Sequence, residues 1–342
     1  MLLVIIGSTL SLGTALSVTS IPLIIYTTYK IDPRNYLQRF VKLFFYIALI
    51  SIILFTIIRL FGFNSFSGIF PHLYTSFYRE GQVYSYGGFL YRFVTLHSDR
   101  NCGPFGEPGQ YQCVLAVALY FTLFRPLLFK EKERMLYMIV FFFALITTLS
   151  TSGYISLSIL IFCFLLHSSR TTDKRMKKIY IAMIIGTVFF MSTTKVGSEF
   201  MNTVIFHKIY ANGQLDFSLN SGGARTISIS SVLSTIYHHP ITLVGVGYDE
   251  LRNMGVGGCA GFLFLLLAIG IMPFSILFGF CFYQVFKYNK GIWDIIVRIL
   301  LVLNMGLGQP HIMNFALFTM MLYPYFIANS FKKTNTYYVR DC

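Results

Sequence analysis

Two polar stretches, 64–109 and 195–256, interrupt an otherwise apolar chain of 342 residues, and they hold nearly all of the side chains that are candidates for chemistry on an anion or a proton at the outer face. Arg225 follows Gly222 and Gly223, where a guanidinium fork can hold a phosphate or diphosphate through two parallel hydrogen bonds. An arginine snorkelling to lipid headgroups would carry the same signature. Beyond it lie His238, His239, Asp249, Glu250 and Arg252. A histidine or carboxylate beside a bound sugar is a candidate general base; the competing readings are interfacial histidines and a solvated salt bridge. The earlier stretch offers Arg92, Arg100 and Glu107. Glu107 is placed to orient a sugar hydroxyl. It also suits a helix start, with its carboxylate at the positive end of the dipole and Pro108 in the first turn.

If residues 224–239 form a helix, Ile229, Val232, Leu233 and Ile236 fall on one stripe, with Ser228, Ser231, Ser234 and Thr235 away from it. That is the pattern of a helix lying at a membrane surface. Arg225 shares the apolar stripe, and His239 lies on nearly the same face roughly 21 Å further along at 1.5 Å per residue. The two would therefore touch different parts of an extended ligand. Pro240 biases His239 towards an extended backbone that ends the helix. Walker, Rossmann, His-Glu-x-x-His and Gly-x-Ser-x-Gly patterns are absent from the sequence. Gly245-Val-Gly247 and Gly255-Val-Gly-Gly258 lack the preceding strand and following Lys-Ser of a phosphate loop, and read as turns. Cys102, Cys113, Cys163, Cys259, Cys281 and Cys342 show no metal-ligand spacing. No metal and no cofactor is expected.

The elements that must position these groups are helices. Hydrophobic residues make up 55% of the chain and charged residues only 12%, and the mean hydropathy is +0.66, which places it in the membrane class. The net charge of +14 does not imply nucleic acid, because the basic residues form short clusters between apolar runs, as orienting charges do. Apolar runs predict nine spans: 2–29, 41–63, 110–129, 135–149, 154–167, 179–193, 258–282, 292–307 and 315–327. The expected fold is all-α and polytopic, a single transmembrane domain over 1–342 with external loops at 64–109 and 195–256. Five short segments carry 18 of the Lys and Arg, whereas the much longer stretches 59–109 and 195–256 hold 8. By the positive-inside rule the loops face outward and the C-terminus is cytoplasmic. The N-terminus then lies outside, which leaves open that 2–29 is not one simple span or that a helix precedes it. In the eighth run, Asp294 and Arg298 stand four apart and are expected to pair close to the inner surface.

Phe105-Gly-Glu107-Pro-Gly109 entering a span, the turn Leu149-Ser-Thr-Ser-Gly153-Tyr, the loop with Arg225, His239-Pro240 and Gly245-Val-Gly247, and the re-entry Gly261 to Gly270 together resemble the O-antigen and capsular polysaccharide polymerases, within the O-antigen ligase-like group. The resemblance covers roughly 100–275. It implies a bacterial inner-membrane glycosyltransferase that moves a growing glycan from undecaprenyl diphosphate onto the next lipid-linked repeat at the external face. Arginines such as Arg225 would neutralise the departing diphosphate, with Arg92, Arg100, Arg252 and His238 as further substrate contacts. A carboxylate or histidine among Glu107, His239, Asp249 and Glu250 would take the acceptor proton. Membrane lipids, a chain-length regulator and a flippase are the implied partners. The ligase branch carries a histidine shortly after the Gly-x-Gly turn, where this chain has Arg252-Asn253; that departure favours polymerase over ligase. A transporter of the same lipid-linked sugar would carry polar groups through several spans, whereas here they collect on one face.

Overall fold

A computed structural model of the chain describes residues 12–33, 35–65, 72–74, 84–167, 174–194, 210–211, 214–215, 230, 234, 245–253, 261–288, 291–308 and 313–331. Most of them are helical: α1 (Leu12–Ile31), α2 (Tyr36–Phe61), α3 (Pro108–Phe124), α4 (Glu131–Thr147), α5 (Thr151–His167), α6 (Lys174–Thr193), α7 (Tyr248–Asn253), α8 (Gly261–Ile269), α9 (Ile271–Tyr288), α10 (Ile292–Gly308) and α11 (Phe315–Phe331). The chain divides into two compact units: Met1–Val18 with Leu165–Phe280 and Gly306–Ile312, and Thr19–Phe164 with Cys281–Met305 and Met313–Cys342. The second carries the best-defined chemistry.

That unit is built around α3. A helix apolar on all sides must be surrounded by protein or lipid, and every residue of α3 except Gln110 is buried within the protein. It packs against α2, α4 and α11, with Phe121 set between Phe40 at 6.1 Å and Tyr323 at 5.2 Å, both edge-on. Its C-terminal carbonyls have no partners within the helix; the buried Arg134 of α4 supplies them, donating from Nε to Thr122 O at 2.8 Å and from Nη2 to Leu123 O at 2.9 Å. The α4–α5 connection is three residues long and turns on Leu149, held at φ 48°. Asn304 of α10 reaches α5, donating to Ser152 O and Ser156 Oγ, each at 2.8 Å.

Two helices among the described residues, α2 and α9, are long and apolar enough to cross a bilayer. Helices α3, α4, α5, α10 and α11 run 17 residues each, at the short limit for a span. Length and composition therefore do not establish the expected nine crossings. Surface character adds to the picture: Leu43, Tyr46 and Ile53 on α2, and Ile276, Phe280 and Tyr283 on α9, form exposed apolar rows at helical spacing.

Two features are absent from the sequence reading. Within the first loop, β1 (His72–Tyr74), β2 (Tyr84–Gly87) and β3 (Arg92–Val94) form an antiparallel sheet in the order β1-β2-β3, with Tyr86 opposite both His72 and Phe93. A second pair, β4 (Tyr210–Ala211) with β5 (Gln214–Leu215), lies in the other loop. The run 258–282 is not one continuous helix. It breaks at Gly270, whose φ of +83° no ordinary helical residue adopts, into α8 and α9.

Candidate functional site

The sheet brings the first-loop candidates to one end of α2. Its core is Tyr91 and Phe93 packed on Ile58 of α2, with Leu54, Phe55, Phe63 and Tyr86 against them. Phe63 stacks on Phe93 at 4.0 Å. The β2–β3 hairpin closes at Gly87, with φ +112°; a Cβ there would stand 2.2 Å from Tyr91 O, so only glycine fits. Arg92 is consequently fixed by its backbone, which donates from N to Gly103 O at 2.6 Å. Its guanidinium lies beside Gly106, 3.9 Å from where a Cβ on that residue would be.

A buried amide holds the rest of the segment. Asn101, fully buried, donates from Nδ2 to Ser51 Oγ of α2 and to Thr147 Oγ1 of α4, both at 3.1 Å. Its Oδ1 accepts from Gly103 N at 3.0 Å, and its own N donates to Thr147 O at 2.9 Å. Ser51 Oγ is in turn 2.7 Å from the Tyr111 hydroxyl of α3. Gly103, at φ +53°, lies flat on that tyrosine ring, where a Cβ would come within 2.6 Å. One asparagine thus ties three helices to the loop that carries Arg92, Arg100 and Glu107.

Arg100 lies 3.9 Å from Asp99 across Nε and Oδ2. The Nε atoms of Arg92 and Arg100 are buried and make no hydrogen bond, so each guanidinium keeps donor capacity that a bound anion would satisfy. Glu107 occupies the N-cap of α3 with Pro108 at the first turn and makes no capping bond through its side chain, as the sequence anticipates for the backbone. Arg100, Glu107 and Asp99 each act on the buried thiol of Cys102. Burial pushes that thiol up to about 12, the Arg100 guanidinium pulls it back, and the carboxylates of Glu107 and Asp99 add to the rise. Two arginines and a carboxylate at one helix end can bind an anion and receive a proton from a hydroxyl beside it.

The second-loop candidates divide. Arg225, His238 and His239 lie outside the described residues; of the helix expected over 224–239, Ser230 and Ser234 are described, both helical and exposed. Asp249 and Glu250 sit in the first turn of the short helix α7, where carboxylates face the positive end of the dipole, and Arg252 belongs to the same helix. Asn253 Nδ2 donates to Glu250 Oε2 at 3.5 Å. The Gly245-Val-Gly247 turn is occupied by structure: Val246 N and Gly247 N donate to Leu267 O and Ala268 O at 3.0 and 2.9 Å, and so complete the end of α8 broken at Gly270. Gly245 lies so close that a Cβ would meet Leu267 O at 2.3 Å. Tyr248 stacks on Phe264 at 5.7 Å, and burial pushes its hydroxyl up to about 12.

Asp294 and Arg298 pair as expected, at 3.0 Å, but they are deep inside protein: Arg298 is 0% exposed and Asp294 4%. Asp294 also accepts from Arg125 Nη2 at 2.7 Å and from the Tyr120 hydroxyl at 2.6 Å, and Tyr323 accepts from both arginines. Sequence reasoning finds the i,i+4 pair alone, because Arg125 stands 169 residues from Asp294. Asn101 escapes it for the same reason, with side-chain partners 46 and 50 residues away. Compared with known proteins, the chain matches no family model, no curated protein and no solved structure.

Proposed function

We propose that this chain is a multi-pass membrane glycosyltransferase that polymerises undecaprenyl-diphosphate-linked oligosaccharide repeats at the external face of the bacterial inner membrane. The observation that carries the reading is the pair Arg92 and Arg100, whose buried Nε atoms make no hydrogen bond, on the same segment that runs to Glu107 at the N-cap of α3. Exposed apolar rows on α2 and α9 support embedding in lipid, and the nine-span layout with a cytoplasmic C-terminus belongs to the same proposal.

In the reaction, the acceptor hydroxyl oxygen forms a bond to the anomeric carbon of the donor glycan as the bond from that carbon to the diphosphate oxygen breaks. Undecaprenyl diphosphate leaves with the electron pair, and a carboxylate or histidine takes the hydroxyl proton. Arg92 and Arg100 neutralise the charge that develops on the leaving diphosphate, a contribution of about 10²–10³ in rate for a well-placed donor. Glu107 is the carboxylate placed for the proton. In the second loop, Arg225 is a separate candidate for binding diphosphate, with His238, His239, Asp249, Glu250 and Arg252 as further candidate contacts.

Deleting the gene and running surface glycan on a gel tests the class. A single repeat in place of a ladder supports polymerisation; loss of all surface glycan indicates export, and polymer retained on its lipid carrier indicates ligation. Within a confirmed polymerase, Arg92→Ala, Arg100→Ala and Glu107→Gln should each shorten the ladder at normal protein level. Unchanged chain length in all three removes the first-loop site, and unchanged length in Arg225→Ala removes that residue.

A further inference from the structure

At the opposite end of α2 from the sheet, the structure forms a pocket of about 360 Å³, lined among others by Gln38, Arg39 and Lys42 of α2, Lys130 before α4, and Glu133 and Tyr137 of α4. From Gln38 to Ile58, where the sheet packs, α2 rises roughly 30 Å at 1.5 Å per residue, the thickness of a bilayer's hydrocarbon layer. The pocket and the candidate site therefore lie at opposite membrane surfaces, and the basic segments around it place the pocket on the cytoplasmic side.

Its construction is amphipathic. Tyr137 is buried and packs on Phe45 at 4.6 Å and edge-on to Phe129 at 5.6 Å, so the floor is aromatic. Gln38 Nε2 donates to Leu128 O at 2.8 Å and ties the α2 wall to the loop before α4. Arg39 is engaged with Asp32 at 3.1 Å, which leaves Lys42 and Lys130 as the cations that face a ligand. Lys130 stands at the N-cap of α4 and is exposed at the mouth of the pocket. Glu133 supplies one carboxylate at the same mouth.

We infer that this pocket binds the headgroup of an anionic glycerophospholipid of the phosphatidylglycerol type from the cytoplasmic leaflet. The phosphodiester lies between Lys42 and Lys130; the glycerol hydroxyls donate to Glu133; the acyl chains continue along the apolar surface of α2, where Leu43 and Tyr46 are exposed. The inference rests on the chain being embedded in a membrane and not on its chemistry.

Thermal unfolding of the purified full chain in detergent, titrated with phosphatidylglycerol or phosphatidylcholine, tests it. Phosphatidylglycerol should raise the midpoint saturably and phosphatidylcholine should not. Lys42→Gln with Lys130→Gln should weaken the apparent affinity for phosphatidylglycerol roughly 30-fold, at about one kcal/mol for each basic residue, with the midpoint in phosphatidylcholine unchanged. Lys132→Gln removes an exposed charge from the same turn of α4 outside the pocket and should leave the response intact. Equal responses to both lipids, a full response in the double variant, or an equal loss in Lys132→Gln would overturn the assignment. A midpoint rise with inorganic phosphate or glycerol phosphate matching that with phosphatidylglycerol would also overturn it, in favour of a soluble anion. Since glycan chain length is read separately, failure here leaves the polymerase proposal to stand or fall on its own assay.

Discussion

A single carboxylate, Asp294, neutralises two buried guanidiniums, Arg125 and Arg298, and draws in the hydroxyl of Tyr120. Removing one partner of a buried ion pair costs about 3–5 kcal/mol because the other charge is left uncompensated, whereas replacing a charge that leaves its partner paired costs much less. Asp294→Ala strands two cations, while Arg298→Met leaves Asp294 paired with Arg125. The expected order in a thermal unfolding scan is therefore a large fall for Asp294→Ala and a smaller one for Arg298→Met; the reverse order would show that the carboxylate is not the shared centre. Asn101 sets a second test at this scale. Asn101→Ala removes hydrogen bonds to Ser51, Thr147 and Gly103 at once, each worth about 1 kcal/mol net and more where a buried group is orphaned. It should lower the unfolding midpoint and also shorten the glycan ladder, since the segment it anchors holds Arg92, Arg100 and Glu107.

Among elements, the break between α8 and α9 is the one that backbone chemistry dictates most directly. A helix that stops inside an apolar run exposes carbonyls that lipid cannot satisfy. Here Gly270 N takes Leu266 O at 2.8 Å, and the Gly245 turn takes the next two. Gly245→Ala would force the turn off Leu267 O and should cost about 1–3 kcal/mol through the carbonyls it orphans. Gly279→Ala, in the interior of α9 with nothing within 4 Å of the added Cβ, should instead be neutral or gain up to about 1 kcal/mol of helix propensity. Comparing the two midpoints checks this; equal effects would show that the turn does not complete α8. The same elements show what a sequence can disclose. The start of α3 was legible in Glu107-Pro108, because caps are written in local residue types; the α4–α5 hairpin was legible too, but its turn falls on Thr148-Leu149-Ser150, and Thr151, Ser152 and Gly153 of the expected turn open α5. The break at Gly270 was not, since one glycine in a continuous apolar run leaves the hydropathy unchanged. Nor was the first-loop sheet, whose strands of three or four residues are too short to establish a period of two.

For the whole molecule, the decisive quantity is which end of the α2–α3–α4 unit faces which side of a membrane. Lys and Arg crowd the segments beside the pocket, around 30–42 and 125–134, and thin out in the loop that carries the sheet. The transmembrane potential and the anionic inner leaflet both retain such clusters on the cytoplasmic side. The proposed polymerisation on undecaprenyl diphosphate needs the opposite end, with Arg92, Arg100 and Glu107, to face outward, so that proposal and the charge asymmetry make one joint demand. Ser98 and Lys132 are exposed and stand at these two ends. In intact cells, a membrane-impermeant maleimide should label a Ser98→Cys chain above the parent background and leave a Lys132→Cys chain at background until the membrane is permeabilised. Labelling of the Lys132→Cys chain alone would turn the molecule over, place the arginine pair in the cytoplasm, and remove the external reaction together with the lipid leaflet assigned to the pocket. Labelling of both in intact cells would mean that these helices do not separate two compartments at all.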